Sequence, residues 1–166
     1  MIITVVRADI TEQAVEAIVT AGNSALRGGS GVNGAVHTAA GPRLLQACRA
    51  LAPCPTGSAV VTDAFGLAPV RWVIHAVGPR YGVPKDADLL KSAYRSAFAC
   101  ADEVGAKSVA FPSISTGVYG YPGALAAQLS VEAITAAVTN VESILLVAHG
   151  DDMAEMWDRC LASVNR

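Results

Sequence analysis

Residues 17–40 decide the fold: Ala17-Ile18-Val19-Thr20-Ala21, Gly22-Asn23-Ser24-Ala25-Leu26-Arg27, Gly28-Gly29-Ser30-Gly31-Val32-Asn33-Gly34, then Ala35-Val36-His37-Thr38-Ala39-Ala40. A β-branched apolar run, a glycine-rich loop and an alanine-rich periodic run predict strand, loop and helix. A similar order recurs where Ser108-Val109-Ala110-Phe111 precedes Ser115-Thr116-Gly117-Val118-Tyr119-Gly120-Tyr121-Pro122. Outward from these, strands are expected at 2–6, 17–21, 59–62, 72–76, 108–111 and 143–147. Helices are expected at 34–40, 42–50, 88–104, 124–138 and 151–163. Pro42 suits a first helical turn and Gly105 a helix stop. Leu89, Leu90, Ala93, Ala97 and Ala101 recur at helical spacing and mark a face that meets a sheet. Such alternation predicts an α/β protein, a three-layer α/β/α sandwich around a mixed central sheet.

The chain has 166 residues, the size of one domain spanning 1–166, with 52% hydrophobic and 16% charged residues. A net charge of −2 argues against a general nucleic-acid binder, which would carry a strongly basic face. Cys48, Cys54, Cys100 and Cys160 show no CxxC spacing and sit in apolar or alanine-rich stretches. They read as reduced, mostly buried thiols of a cytoplasmic protein, with neither a disulfide nor a zinc site. The N-terminal run lacks a basic segment and a small-residue cleavage site, and no apolar run approaches the roughly 20 residues that span a bilayer. Cytoplasmic location and no membrane partner are therefore expected.

Glycine lets main-chain N–H groups approach a ligand closely, and a helix N-terminus adds partial positive charge there. One such loop can hold a phosphate; two from distant segments can close on a diphosphate. Residues 29–34 match GxGxxG, but a dinucleotide fold needs the loop directly after a strand and an acidic residue about 20 positions on. Gly22 to Arg27 intervene here, and no Asp or Glu occurs from Ala17 to Thr62. A P-loop fails too, because no Gly-Lys-Ser/Thr closes the loop. The acid-free stretch carries Arg27, Arg43 and Arg49, which favours an anion. No cluster of metal-ligating residues surrounds the loops in sequence, so no metal is expected.

Taken together, several ordered motifs resemble the macrodomain family, in particular its ADP-ribosyl-carboxylate hydrolases. They are Ala8-Asp9-Ile10-Thr11, residues 17–23, the first glycine loop through His37, Ala39-Ala40-Gly41-Pro42 and Cys54-Pro55-Thr56-Gly57. Ile74-His75-Ala76-Val77-Gly78-Pro79 and residues 111–122 complete the likeness. The resemblance implies an ADP-ribose ligand, with Asp9 accepting from the adenine amine and the Ile10 N–H donating to a ring nitrogen. It places His149 against adenine, although an ordinary surface histidine fits as well. Asn23 would meet the distal ribose, with Gly29, Ser30, Gly31, Val32 and Asn33 on one side of the diphosphate. Ser115, Thr116, Gly117 and Val118 would lie on the other, and Tyr119 would wall off the distal ribose. Asp9 also reads as a helix N-cap, and the two roles can coexist. His75, mid-strand among apolar residues, reads as a core histidine.

The hydrolases carry aspartate in the first loop where this chain has Asn33, and Asn-Ala-Ala-Asn where it has Thr20-Ala21-Gly22-Asn23. Asparagine cannot accept a proton, so Asn33 is not a general base. Asn33, His37 and Asn23 remain the candidate catalytic residues, with Asn33 positioning water and His37 assisting from one helical turn along. The Asn33-Gly34 pair is also of the flexible, deamidation-prone type. Two functions stay open: an enzyme releasing mono-ADP-ribose from acidic side chains of modified proteins or the acetyl group from O-acetyl-ADP-ribose, and a reader that binds ADP-ribose without cleavage. Neither needs a cofactor, and the partners are ADP-ribose and ADP-ribosylated proteins.

Overall fold

The structure, a computed structural model, describes residues 1–165. Among these residues are six strands: β1 (Ile2–Arg7), β2 (Ala17–Gly22), β3 (Ala59–Asp63), β4 (Trp72–Val77), β5 (Ser108–Phe111) and β6 (Ser143–Ala148). Five helices accompany them: α1 (Gly31–Ala40), α2 (Pro42–Leu51), α3 (Asp86–Val104), α4 (Gly123–Thr135) and α5 (Asp151–Val164). The strands form one sheet in the order β1-β6-β5-β2-β4-β3. All neighbours run parallel except β3, which pairs antiparallel with β4 at the edge.

Side chains alternate across a strand, so the sheet needs two apolar cores. Ala17 and Val19 face one of them, with Ile74, Val109, Phe111, Ile144 and Leu146, beneath α3, α4 and α5. Ile18 faces the other, with Val73, Val77, Ala110 and Val147, beneath α1 and α2. This is the expected three-layer sandwich. Leu90, Ala93, Ala97 and Ala101 of α3 are buried as their spacing requires, while Leu89 is half-buried. Gly105 stops α3 in the left-handed conformation at φ +72°, its N–H donating to the carbonyls of Ala101 and Asp102.

One boundary differs in a way that matters for the site. Helix α1 begins at Gly31, so Asn33 and Gly34 lie in its first turn, not in the loop that precedes it. Gly31, at φ +62°, turns the loop into the helix. Gly34 is needed for room, because a Cβ there would overlap the carbonyl oxygen of Gly29. Held in that turn, with its amide bonded on both sides, Asn33 lacks the flexibility that would favour deamidation.

No helix among the described residues is long and apolar enough to cross a membrane. The four cysteines are unpaired thiols; burial pushes Cys48 and Cys100 up to about 11.

Candidate functional site

Parallel strands deliver their following loops to one edge of the sheet. Where two neighbouring strands send those connections to opposite faces, the loops part and a crevice opens. Strands β2 and β5 are such neighbours, in register at Ala17–Val109 and Ile18–Ala110. The chain leaves β2 for α1 and α2 on one face, and β5 for α4 on the other. The crevice between them has a volume of about 1340 Å³, and both glycine-rich loops line it. That exceeds the roughly 300–1,000 Å³ of common small-molecule pockets and has room for an extended ligand.

Unpartnered backbone donors mark this crevice. Among the described residues, the N–H groups of residues 28–33 have no hydrogen-bond partner; Gly34 makes the first such bond, to the Ser30 carbonyl. Across the crevice, the N–H groups of Thr116, Gly117, Val118 and Tyr119 are also unpartnered. Backbone donors left free call for water or an anion, and α1 adds the positive end of its dipole.

The first loop is shaped by two side-chain amides meeting at one carbonyl. Asn23 Nδ2 donates to the Arg27 carbonyl at 3.0 Å, and Asn33 Nδ2 donates to the same oxygen at 2.9 Å. Asn23 Oδ1 accepts from the Arg27 N–H at 3.0 Å, and Asn33 Oδ1 accepts from the Thr20 hydroxyl at 3.2 Å. Each amide keeps one donor and one acceptor position unused. Asn23 is half-exposed at the crevice, whereas Asn33 is 6% exposed and ties the loop to β2.

The second loop rests on a buried phenol. Tyr94, fully buried on α3, donates to the Pro112 carbonyl at 3.3 Å and accepts from the Ile114 N–H at 3.1 Å. Burial raises its pKa to about 12, so it stays a hydroxyl. Ser115 takes φ +70°, a costly region for a side chain other than glycine, while its carbonyl accepts from the Tyr121 N–H at 2.9 Å. The buried hydroxyls of Ser113 and Ser115 have no partner among the described residues. Tyr121 and Pro122 fix the exit: Tyr121 is buried and donates to Asp86 at 3.2 Å.

At the β1 and β6 end stand Asp9, Ile10 and His149. Asp9 Oδ1 accepts from both the N–H and the hydroxyl of Thr11, at 2.9 and 2.7 Å, capping a short 3-10 turn over Ile10–Glu12. Those bonds lower its pKa, with a smaller contribution from nearby His149, and they leave Oδ2 unused. The turn-capping part of the Asp9 expectation is thus present in the structure.

The expected ligand residues 9–10, 23, 29–33, 115–119 and 149 all line this one crevice. His37 does not. It shares the inward side of α1 with buried Asn33, four residues earlier, and turns under the loop, where its ring lies 6.3 Å from that of His75. The expectation that His37 assists at the crevice is corrected accordingly. There it meets Cys48 and His75, with ligating atoms of all three within 4.8 Å of one another. The expectation of no clustered metal-ligating residues near the loops came from sequence spacing alone, and the fold overrides it. Sequence reasoning also missed Arg80, whose guanidinium lies 4.8 Å from the Tyr119 ring centre, and the exposed Arg7–Asp151 ion pair at the rim.

The Macro domain family pattern matches residues 19–130. A macro domain-containing protein of Ralstonia nicotianae is 54% identical over 130 residues, 77% of this chain and 75% of that protein. A protein of Escherichia fergusonii named O-acetyl-ADP-ribose deacetylase is 46% identical over 166 residues, 95% of this chain and 93% of its own length. A variant of the Oceanobacillus iheyensis macrodomain, solved with ADPR, superposes with a TM-score of 0.92 at 35% identity, covering 97% of this chain and 92% of that one. The chain belongs to the macro domain family.

Proposed function

We propose that the crevice binds ADP-ribose and that the protein hydrolyses esters joining an acyl group to its distal ribose. The acyl group is acetyl in O-acetyl-ADP-ribose, or an aspartate or glutamate side chain in a mono-ADP-ribosylated protein. One observation carries this reading: two facing runs of unpartnered amides, residues 29–33 and 116–119, suit the two phosphates of a diphosphate. The name of the Escherichia fergusonii relative supports the ester chemistry.

In this reading Asp9 Oδ2 accepts from the adenine amine, the Ile10 N–H donates to a ring nitrogen, and His149 stacks on the base. Asn23, with one N–H and one lone pair unused, meets the distal hydroxyls. Only Asp9 and Asp151 supply carboxylates to the crevice among the described residues, and both stand at the adenine end. Asn33 therefore positions the loop, while a phosphate oxygen of the ligand accepts the proton of the attacking water. Water adds to the ester carbonyl, the ribose oxygen leaves and takes up a proton, and a free carboxylic acid departs. Without a protein base, turnover should be about 10²- to 10⁴-fold slower than with one.

A binding module without turnover is the second reading, favoured by the commitment of Asn33 to Thr20 and Arg27. Catalytic amounts of protein incubated with O-acetyl-ADP-ribose and with Glu-, Asp-, Ser- and Arg-linked ADP-ribose separate the two. Hydrolysis predicts many turnovers on the acyl esters and none on the Arg linkage. Tight binding with no product after prolonged incubation would establish the reader.

A further inference from the structure

We infer that a basic groove beside the first loop docks an acidic stretch of polypeptide, the segment flanking the modified side chain of an ADP-ribosylated protein. This docking role rests on the crevice binding ADP-ribose and extends that function to the protein part of the substrate. The connection from β2 to α1 stands between groove and crevice: Asn23 and Gly29 line the crevice, whereas Ala25, Arg27 and Gly28 line the groove. Leu45 and Arg49 of α2, with Pro53 beyond it, form the other wall, and the groove has a volume of about 690 Å³. The Cys54 N–H donates to the Ser24 carbonyl at 2.8 Å and ties the two walls together, so the groove is preformed.

Its charge is one-sided. No carboxylate lines it, and no Asp or Glu occurs from residue 17 to residue 62, the stretch that supplies both walls. Arg7 is paired with Asp151, and Arg43, Arg71 and Arg80 lie over aromatic rings. Among the described residues, Arg27 and Arg49 have neither kind of partner. The Gly28 N–H is free beside them. A guanidinium presents a fork of donors that matches a carboxylate. The negative end of the α2 dipole, about half a charge, is outweighed by two full positive charges. The lining has no aromatic ring on which a base could stack, which favours carboxylates over a second nucleotide unit.

Position connects the groove to the reaction. In the proposed function Asn23 meets the distal ribose, whose ester carries the protein. Asn23 and Ala25 are two residues apart, so their Cα atoms stand within about 8 Å of each other. An extended chain advances about 3.3–3.6 Å per residue, so residues roughly two to four positions from the modified one reach the groove.

The full chain and two unmodified peptides test this, one glutamate-rich and one with glutamine everywhere but the central glutamate. In ¹⁵N–¹H spectra at low salt, the glutamate-rich peptide should shift the N–H signals of Ala25, Gly28, Leu45 and Arg49 and spare Thr116 to Tyr119. The glutamine peptide should shift neither set. With ADP-ribose joined to the central residue through an uncleavable linkage, the acidic flanks should improve affinity about three- to tenfold, the worth of two exposed ion pairs. Arg49→Glu, an exposed change, should erase that preference while free ADP-ribose binds as before. Groove signals that stay still with the glutamate-rich peptide, or move equally with the glutamine one, overturn the docking surface. Movement with pyrophosphate in place of the glutamate-rich peptide assigns the groove to a phosphate ligand and overturns it too. Equal affinities of the two linked peptides, or a preference that survives Arg49→Glu, separate the groove from the substrate and contradict the docking role. Failure of free ADP-ribose to bind strikes the crevice function instead, and the unmodified peptides still decide the groove.

Discussion

The two loops that face each other across the crevice are built by opposite means. The first spends its side chains on itself: Asn23 and Asn33 both grip the Arg27 carbonyl, Thr20 holds Asn33 from the sheet, and Gly34 lies flush on Gly29. The second is held from below by the Tyr94 phenol, by its own backbone and by one internal side-chain bond, from the Thr116 hydroxyl to the Ser113 carbonyl, and it leaves the hydroxyls of Ser113 and Ser115 buried and unpartnered. A buried hydroxyl without a partner costs about 1–3 kcal/mol. The first loop is thus a finished cradle of backbone donors. The second carries the strained φ of Ser115 and two hydroxyls free to bond a ligand or water.

The largest expected effect comes from the open side of the second loop. A Cβ at Gly117 meets nothing within 4 Å, so Gly117→Glu should fold normally and place a carboxylate among the free amides. Calorimetry should show ADP-ribose affinity lowered by more than about 100-fold, or about 2.7 kcal/mol. Affinity within about threefold of the native value would move the ligand away from this loop.

The first loop should respond through stability instead. Asn33→Ala removes a donor and an acceptor together and leaves the buried Thr20 hydroxyl without its partner. Unfolding in denaturant should show a loss of about 2–3 kcal/mol, with ADP-ribose affinity falling about tenfold as the loop loosens. An unchanged midpoint would mean that Asn33 holds nothing.

Ser115→Ala sharpens the contrast because its two readouts should part. The free protein should be as stable as the native one, or more stable by up to about 1 kcal/mol, since an unsatisfied hydroxyl disappears. Affinity should drop about three- to tenfold, the worth of one neutral hydrogen bond. Lower stability with full affinity would show that the hydroxyl serves the fold.

Asn33→Asp is the mildest change in shape. The Arg27 carbonyl keeps its bond from Asn23 but faces a carboxylate oxygen in place of the Asn33 donor, so the loop should lose stability, while the restored group able to take a proton should preserve or raise turnover. Steady-state assays on O-acetyl-ADP-ribose check this, and a steep fall would assign the Asn33 amide donor a positive part in the reaction.

Most of the fold was legible because each strand is a short β-branched run and each long helix carries an apolar stripe. The start of α1 was not, because Gly31 and Gly34 are poor helix formers and local propensity pushed the boundary to Gly34. Packing overrides propensity there: Gly34 must be glycine to lie against Gly29, whatever its helix preference. That shift also misled the reading of His37, since a residue four beyond a buried Asn33 turns inward. Glycine runs and turn residues gave away the crevice lining. Arg80 against Tyr119 and the trio of His37, Cys48 and His75 left no local signal, because sheet order alone joins residues so far apart.

Amide resonances test the facing cradles most directly. In a ¹⁵N–¹H titration, ADP-ribose should shift the N–H signals of residues 29–33 and of Thr116, Gly117, Val118 and Tyr119 together, with one midpoint, whereas adenosine should move only those near Asp9 and Ile10. Movement of one glycine-rich loop without the other, or equal movement of both with adenosine, would contradict a diphosphate held between them.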